Sequence, residues 1–230
     1  MYLLSRFVLL SLLILVSYFS MACKDAVVLV HGNGAYPSSW NNTYNLLRAS
    51  GYEENEIVRP SWGSKTCVAC NNHSGSEESP VRQAISNAIA LSCTGKIDVV
   101  GHSMGVTLAI QQIAKLNASA SVDSFVGIAG AVRGLRSCGW YPFNVPSSTC
   151  GRNGLSINSP FLRSISNVSI ASRVYSIKSN FDQVVCAGGS CRTSGVHSSQ
   201  ILGETSSFTL ALGHFGLQTD TAAIQLQLIL

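Results

Sequence analysis

The stretch KIDVVGHSMGVTLAIQQIAK, residues 96–115, joins two patterns that predict different secondary structures. Residues 97–100 form a mainly apolar run of the kind found in buried strands. From Met104 onward, apolar residues recur every three or four positions, which predicts an α-helix. The sequence GHSMG, residues 101–105, lies between the two patterns, so the chain turns from strand to helix at Ser103.

The five residues GHSMG match the pattern G-x-S-x-G, in which a serine stands at a sharp strand-to-helix turn. Glycines two positions before and after the serine let the neighbouring backbones pass closely. The Ser103 hydroxyl is then exposed above the sheet as a candidate nucleophile, and the Met104 N–H lies at a helix N-terminus, where it can stabilise an oxyanion. A glycine-rich turn without chemistry is the alternative that the pattern alone leaves open.

The rest of the chain alternates between strand and helix patterns, which predicts an α/β fold with a mostly parallel central sheet and helices on both faces. The functional edge of such a sheet lies at the carboxyl ends of its strands. The predicted strands cover residues 25–32, 56–60, 96–103, 121–130 and 172–179, and the predicted helices cover residues 38–52, 79–93, 104–117 and 221–230.

The first predicted strand ends in the sequence HGNG, residues 31–34. A tight glycine turn and nothing more would explain it. In the architecture that G-x-S-x-G indicates, however, the second oxyanion donor comes from a loop after an early strand. We therefore expect the Asn33 N–H to face the Met104 N–H across the oxyanion hole.

A serine nucleophile needs a histidine base, and in this fold the histidine comes last in the chain. Two histidines follow Ser103. His214 lies between glycines after an apolar run, at an expected sheet edge, whereas His197 lies in a polar loop, so the sequence favours His214. His31 and His102 are predicted to have structural or orienting roles, and His73 is predicted to be solvated.

Three acids lie between Ser103 and His214 in the chain, and one of them should orient the histidine. Asp123 precedes a predicted strand and so lies at the wrong end of the sheet. Glu204 lies in a predicted turn. Asp182 follows the predicted strand at residues 172–179, which favours it as the acid.

The first 22 residues predict a signal peptide, because Arg6 is followed by an uncharged apolar run and then by small residues. Residues 23–230 then form a single catalytic domain in a secreted protein. Charged residues make up 11% of the chain, and the net charge of +4 is spread along it without a long basic run. That distribution argues against nucleic-acid binding.

Eight cysteines in a secreted chain predict disulfides. Two local pairs are plausible from the sequence, Cys138–Cys150 and Cys186–Cys191. The sequence CVAC, residues 67–70, is more readily explained as a structural disulfide than as a redox or zinc motif, since no second CxxC completes a four-thiolate site. Four N-glycosylation sequons are present, at Asn41, Asn72, Asn117 and Asn167.

The segment CGWYPFNVPSSTC, residues 138–150, holds three aromatic residues and two prolines. If its flanking cysteines pair, it forms a closed loop on the side of the fold that carries the active site. Its rings either belong to the core or form a surface that contacts lipid, because Trp and Tyr suit a membrane–water boundary. The sequence alone leaves both open.

These motifs, in this order, resemble the class 2 lipase family of small α/β-hydrolases. The matching pieces are VVLVHGNG, IDVVGHSMG, FVGIAGAVRGL, YSIKSNFDQVV and GHFGL. The resemblance implies an α/β-hydrolase fold and a secreted lipase or esterase that acts on acylglycerols or other carboxylic esters. We expect the substrate to be a lipid or small ester, and we expect no cofactor, no metal and no stable protein partner. It implies Ser103, Asp182 and His214 as the catalytic triad, with Asn33 and Met104 as oxyanion donors. A thioesterase or acyltransferase with the same triad, or an inactive binding protein of this fold, are the alternatives.

Overall fold

A six-stranded sheet in which every neighbouring pair is parallel forms the centre of the protein, in the strand order β11-β8-β4-β3-β1-β2. The computed structural model describes residues 23–230, and the predicted signal peptide lies outside the described residues. The sheet strands are β1 (Ala26–Val30), β2 (Ile57–Val58), β3 (Ile97–His102), β4 (Val122–Ile128), β8 (Arg173–Lys178) and β11 (Ser206–Thr209).

The two faces of the sheet are both buried, which explains the continuous apolar runs in its central strands. In β1, all five residues are buried, and successive side chains enter different cores. Val28 and Val30 pack with one set of apolar residues, whereas Val27 and Leu29 pack with the other. This alternation follows from the period of two along a strand.

Helices cover both faces of the sheet, as the sequence predicts. Helices α2, α3 and α4 pack on the face to which Val28 points, and α1 and α6 pack against each other on the opposite face. Within the described residues, no helix has both the length and the apolar character required to cross a bilayer. The helices are α1 (Asn41–Ala49), α2 (Glu78–Leu91), α3 (Met104–Lys115), α4 (Pro160–Ile165), α5 (Gly216–Thr219) and α6 (Ala222–Ile229).

Two small sheets lie outside the central one. Strand β5 pairs with β6 in an antiparallel hairpin and with β7 in parallel, and the Cys138–Cys150 disulfide closes this region. A second disulfide, Cys186–Cys191, closes the segment that follows β8. The remaining strands are β5 (Leu135–Trp140), β6 (Phe143–Asn144), β7 (Ser156–Ile157), β9 (Arg192–Thr193) and β10 (Val196–His197).

The parallel sheet brings four loops to one edge. The carboxyl ends of β11, β8, β3 and β1 lead into the loops of His214, Asp182, Ser103 and Asn33. All the candidate site residues therefore lie at the edge where ligands bind in open α/β sheets.

Candidate active site

Ser103 stands at a strained turn between β3 and α3. Its φ of 54° and ψ of −129° lie outside the regions that residues with a side chain ordinarily adopt. The flanking glycines permit the turn, since a Cβ at Gly105 would lie 2.4 Å from the His31 carbonyl oxygen and a Cβ at Gly101 would lie 2.9 Å from Val106 Cα. Ser103 itself is half-buried, so its hydroxyl stays within reach of solvent.

Asp182 and His214 form a buried pair at the same edge. Both carboxylate oxygens of Asp182 lie 2.9 Å from His214 Nδ1. Oδ1 also accepts hydrogen bonds from the backbone N–H groups of Val184 and Val185, at 2.9 and 2.8 Å. Because an ionised carboxylate only accepts hydrogen bonds, Nδ1 is the donor of this pair and carries a proton.

The pKa of Asp182 is lowered from its ordinary value, so the carboxylate is ionised at neutral pH. Burial is the largest influence and acts to raise the pKa, because it disfavours the charged form. The hydrogen bond and charge of His214, together with the N–H groups of Val185 and Val184, outweigh burial and lower the pKa.

The loop of His214 is fixed through its backbone. His102 Nε2 lies 3.0 Å from the His214 carbonyl oxygen, and the two rings lie 4.7 Å apart between centroids. The His214 N–H donates to Gln183 Oε1 at 2.9 Å. No hydrogen bond joins the Ser103 hydroxyl to His214 among the described residues, but the neighbouring His102 holds the histidine loop beside the serine.

His102 is neutral, and its role is to position the loop. Burial lowers its pKa to about 3, and the neighbouring His214 adds to that effect. With its Nε2–H donated to a carbonyl, its Nδ1 is buried without a partner. This result agrees with the predicted orienting role for His102.

The loop after β1 makes a tight turn beside Ser103. The Ala35 N–H donates to the Gly32 carbonyl, and Gly34 has a φ of 70°, which favours glycine. A Cβ at Gly32 would lie 3.0 Å from Ser103 Cβ. The N–H groups of Asn33 and Met104 donate to no acceptor among the described residues, so both are free to bind an oxyanion.

The Asn33 side chain is held by the loop of residues 67–71, which the sequence did not connect with the site. Its Nδ2 donates to the Val68 carbonyl at 2.9 Å, and its Oδ1 accepts from Asn71 at 2.6 Å. The Thr149 hydroxyl, which follows the β5–β6 hairpin in the chain, lies 2.7 Å from the Asn71 carbonyl oxygen and 2.9 Å from the Val68 carbonyl oxygen. The Cys67–Cys70 disulfide closes this loop, so the hairpin, the loop and Asn33 form one connected structure.

His73 corrects the sequence prediction. It is not solvated but 2% exposed, with its ring stacked on Phe161 at 3.7 Å between centroids. Its nitrogens lie 3.0 Å from the Asn153 carbonyl and 2.7 Å from the Thr107 hydroxyl. Burial lowers its pKa to about 3. The prediction failed because these partners lie more than thirty residues away in the chain.

The remaining histidines have structural partners. His31 stacks on Trp62 and its Nδ1 donates to the Gly32 carbonyl at 2.7 Å, as an orienting residue should. Burial lowers its pKa to about 4. His197 is buried rather than in an open polar loop, and its Nε2 donates to the Ser179 carbonyl at 3.0 Å. Its nitrogens are therefore engaged away from Ser103.

The two other acids lie outside the site. Asp123 pairs with Arg173 at 2.7 Å near the amino ends of β4 and β8, at the opposite edge of the sheet. Glu204 precedes β11 and lies 3.8 Å from Lys178. Neither carboxylate contacts His214. This agrees with the sequence analysis, which set Asp123 aside because it precedes a strand and Glu204 because it lies in a turn.

The predicted disulfides Cys138–Cys150 and Cys186–Cys191 are both present, and so is Cys67–Cys70. Cys23 pairs with Cys93, so none of the eight cysteines is free. The sequon asparagines Asn41, Asn117 and Asn167 are exposed and Asn72 is half-buried. Glycosylation itself stays a prediction.

A cavity of about 240 Å³ lies between α3, α4 and residues 200–202. Its lining includes Ile110, Leu162 and Ile201 but neither Ser103, Asp182 nor His214. This cavity therefore lies apart from the candidate triad.

The family described as Lipase (class 2) matches residues 24–227, and the chain belongs to that family. No curated protein matches the chain. Family membership and the geometry of the strand ends together support a lipolytic hydrolase of carboxylic esters.

Solved structures support the α/β-hydrolase fold. Aspergillus fumigatus lipase B matches with a TM-score of 0.61 and 17% identity, over 85% of this chain and 49% of that chain. The mature lipase BlEst2 of Bacillus licheniformis matches with a TM-score of 0.60 and 13% identity, over 90% and 93%. Tomato Methylketone Synthase I matches with a TM-score of 0.58 and 13% identity, over 89% of this chain and 97% of that chain. This chain thus spans about half the length of the Aspergillus lipase, and at these identities the likeness concerns the fold alone.

Proposed function

We propose that this protein is a secreted serine hydrolase that cleaves lipid esters, acylglycerols among them, through an acyl-enzyme on Ser103. The observation that carries the proposal is the buried His214–Asp182 pair, with Nδ1 2.9 Å from both carboxylate oxygens, beside a serine at a strained strand-to-helix turn. Each of these parts has a defined role in acyl transfer.

In the proposed reaction, Ser103 Oγ attacks the ester carbonyl carbon and its proton passes to His214 Nε2. The developing oxyanion accepts hydrogen bonds from the N–H groups of Asn33 and Met104. When the tetrahedral intermediate collapses, the alcohol leaves with the proton from Nε2. Water then attacks the acyl-enzyme, gives one proton to Nε2, and releases the acid as Ser103 regains its proton. Asp182 stabilises the imidazolium that forms in both steps.

Exposed apolar side chains support a lipid substrate presented at an interface. Tyr36, Phe181 and Phe215 each lie in or beside one of the catalytic loops and are 56%, 72% and 63% exposed. On the β5–β6 hairpin, Trp140 and Phe143 are also exposed, so these rings are not core residues. Low overall charge, at 11% of residues, favours contact with a lipid surface.

Secretion is part of the proposal. Four disulfides among the described residues fit an oxidising compartment, and the sequence before Cys23 has the pattern of a signal peptide.

The proposal is tested with the purified secreted protein and a fluorophosphonate probe that reacts with activated serines. We expect one labelled site, together with hydrolysis of p-nitrophenyl esters of increasing chain length. Ser103→Ala should lose the labelling, and its kcat should fall by a factor of about 10⁴–10⁶, because the nucleophile is removed. Labelling that persists in Ser103→Ala would place the nucleophile elsewhere, and wild type without labelling or hydrolysis would indicate an inactive binding protein. Faster turnover of thioesters than of oxygen esters would indicate a thioesterase.

A further inference from the structure

Three aspartates meet at the amino edge of the sheet, opposite the candidate active site. Asp25 immediately precedes β1, Asp98 is the second residue of β3 and Asp123 is the second residue of β4, and these three strands are neighbours. One carboxylate oxygen of each lies within 4.8 Å of the other two. The stretch from Asp98 to Ser103 separates this cluster from the candidate nucleophile by about 16 Å, at 3.3 Å per residue.

Asp98 provides the observation that points to a ligand. The pairing of β3 with β4 is irregular around Asp98, and the Ser124 N–H donates to Asp98 Oδ1 at 3.0 Å. The other oxygen, Oδ2, is buried without a hydrogen-bond partner, and the residue is 1% exposed. A charge here is therefore costly unless a cation neutralises it.

The other two carboxylates each have one oxygen engaged and one available. The Thr94 hydroxyl donates to Asp25 Oδ1, and Arg173 donates to Asp123 Oδ2 at 2.7 Å. Their second oxygens accept no hydrogen bond from a described residue. Asp25 and Asp123 also line a cavity of about 230 Å³, so water and ions can reach the cluster.

The two nearby side-chain cations do not fill this position. Arg173 neutralises one of the three carboxylates. Lys24 lines the same cavity, but its Nζ donates to the Ser50 carbonyl and lies 4.5 Å from the centroid of the Tyr52 ring. It forms no ion pair with the aspartates. The side chains of the cluster therefore offer only oxygen ligands and an excess of negative charge. The α-amino group that signal-peptide cleavage would leave at Cys23, which lines the same cavity, is the competing cation.

We propose that Asp25, Asp98 and Asp123 form a structural Ca²⁺ site, with water completing the coordination shell. Oxygen-only ligands select a hard cation, and Ca²⁺ takes six to eight oxygens at about 2.3–2.6 Å in irregular geometry. Two oxygens on opposite sides of such an ion lie up to about 5 Å apart, which fits separations within 4.8 Å. Mg²⁺ requires shorter distances and nearly ideal octahedral geometry.

Bound Ca²⁺ ties together three neighbouring strands at the edge where the chain enters the sheet. The Cys23–Cys93 disulfide fixes the segment that carries Asp25 and the turn that carries Thr94, so the site forms only in the folded, oxidised protein. A ligand that binds only the folded state stabilises it by mass action. The site is independent of the proposed ester hydrolysis.

The test uses the full secreted protein, stripped of metal with EDTA and dialysed. Titration calorimetry with CaCl₂ should detect one site with submillimolar affinity, and saturating Ca²⁺ should raise Tm by about 5–10 °C. Asp25→Asn, at a half-buried position that tolerates the change, should weaken binding at least tenfold and remove the rise in Tm. The matched control Asp220→Asn, an exposed aspartate on another part of the molecule, should bind as wild type does.

Two outcomes would overturn the site. One is wild-type protein that shows neither heat of binding nor a change in Tm at millimolar Ca²⁺. The other is equal Ca²⁺ affinity in wild type and Asp25→Asn. Either outcome would mean that the three aspartates do not bind Ca²⁺ together.

Discussion

Asp182 holds His214 in one tautomer, and this role gives a prediction for a single residue. In Asp182→Asn, one of the two carboxylate oxygens that accept from His214 Nδ1–H becomes an NH₂ group. This group donates a hydrogen bond, so it favours the tautomer in which Nδ1 has no proton. We expect kcat for a soluble p-nitrophenyl ester to fall about 10⁴-fold with little change in fold. Steady-state kinetics and far-UV circular dichroism check the two parts of this prediction.

Glu204→Gln is the matched control, since Glu204 also lies between Ser103 and His214 in the chain but contacts Lys178 instead of His214. Its kcat should stay close to that of wild type. An Asp182→Asn enzyme as active as wild type would show that another group orients His214.

At the scale of single residues, the sequence predicts what chain order and strand ends determine. Asp182 and His214 were placed by these two signals, and the structure brings them within hydrogen-bond distance. Burial of His73 was not predictable, because it depends on Phe161 and Thr107 from distant helices. The contact of Asn33 with Val68 was missed for the same reason, since nothing local links these two loops.

Among the elements, the β5–β6 hairpin gives a second prediction. Phe143 is 89% exposed and Trp140 is 47% exposed, so replacing both by serine removes little core packing. We expect Trp140→Ser with Phe143→Ser to slow hydrolysis of emulsified long-chain esters severalfold. Hydrolysis of a soluble short-chain ester should be largely retained, because the catalytic residues are unchanged. Parallel assays on the two substrates measure the difference.

Leu91→Ser is the control for this experiment. Leu91 is 63% exposed at the end of α2, before β3 begins, and so lies away from the catalytic edge. It should leave both activities unchanged. If the double variant loses both activities equally and its Tm falls, the hairpin rings stabilise the fold instead of contacting lipid.

The predicted elements follow the strength of their patterns. Strands β1, β3, β4 and β8 were predicted because they are long and apolar, and α2 and α3 because their apolar residues recur at helical spacing. Strand β11 was missed, since its four residues are mostly exposed and its pairing with β8 is a tertiary contact. The short helices α4 and α5 were missed because one or two helical turns hold too few residues to show a repeated spacing of apolar side chains.

On the scale of the whole molecule, three buried neutral histidines make stability depend on pH. Burial lowers the pKa of His31 to about 4 and of His73 and His102 to about 3. In the unfolded chain their pKa is about 6.5. Their contribution to stability is therefore fully present above about pH 6.5 and is lost as the pH falls towards 3–4, because the unfolded chain takes up protons that the folded protein cannot.

We expect Tm, measured by calorimetry on the metal-free protein, to be lower at about pH 4.5 than at about pH 7. Asp98 has the opposite effect, since its raised pKa makes the stability fall as the pH rises towards 8. The combined effect of the three histidines exceeds that of this single group. His73→Gln should have a shallower dependence than wild type, whatever its Tm at neutral pH. A flat profile for wild type over this range would contradict the prediction.

Long-range closure of the chain was the least predictable feature. Cys23 and Cys93 lie 70 residues apart, and eight cysteines allow 105 pairings, so only the local pairs were foreseen. The overall class of fold was predictable, because the alternation of strands and helices admits few architectures.

The Cys23–Cys93 disulfide also determines how the molecule faces its surroundings. It holds the first described residue at the amino edge of the sheet, whereas Ser103 lies at the carboxyl edge. A tether, a tag or a solid support joined ahead of Cys23 would therefore attach at the edge of the sheet opposite Ser103. The edge with the candidate active site and its exposed aromatic side chains would then point outward, towards whatever surface the tethered protein meets.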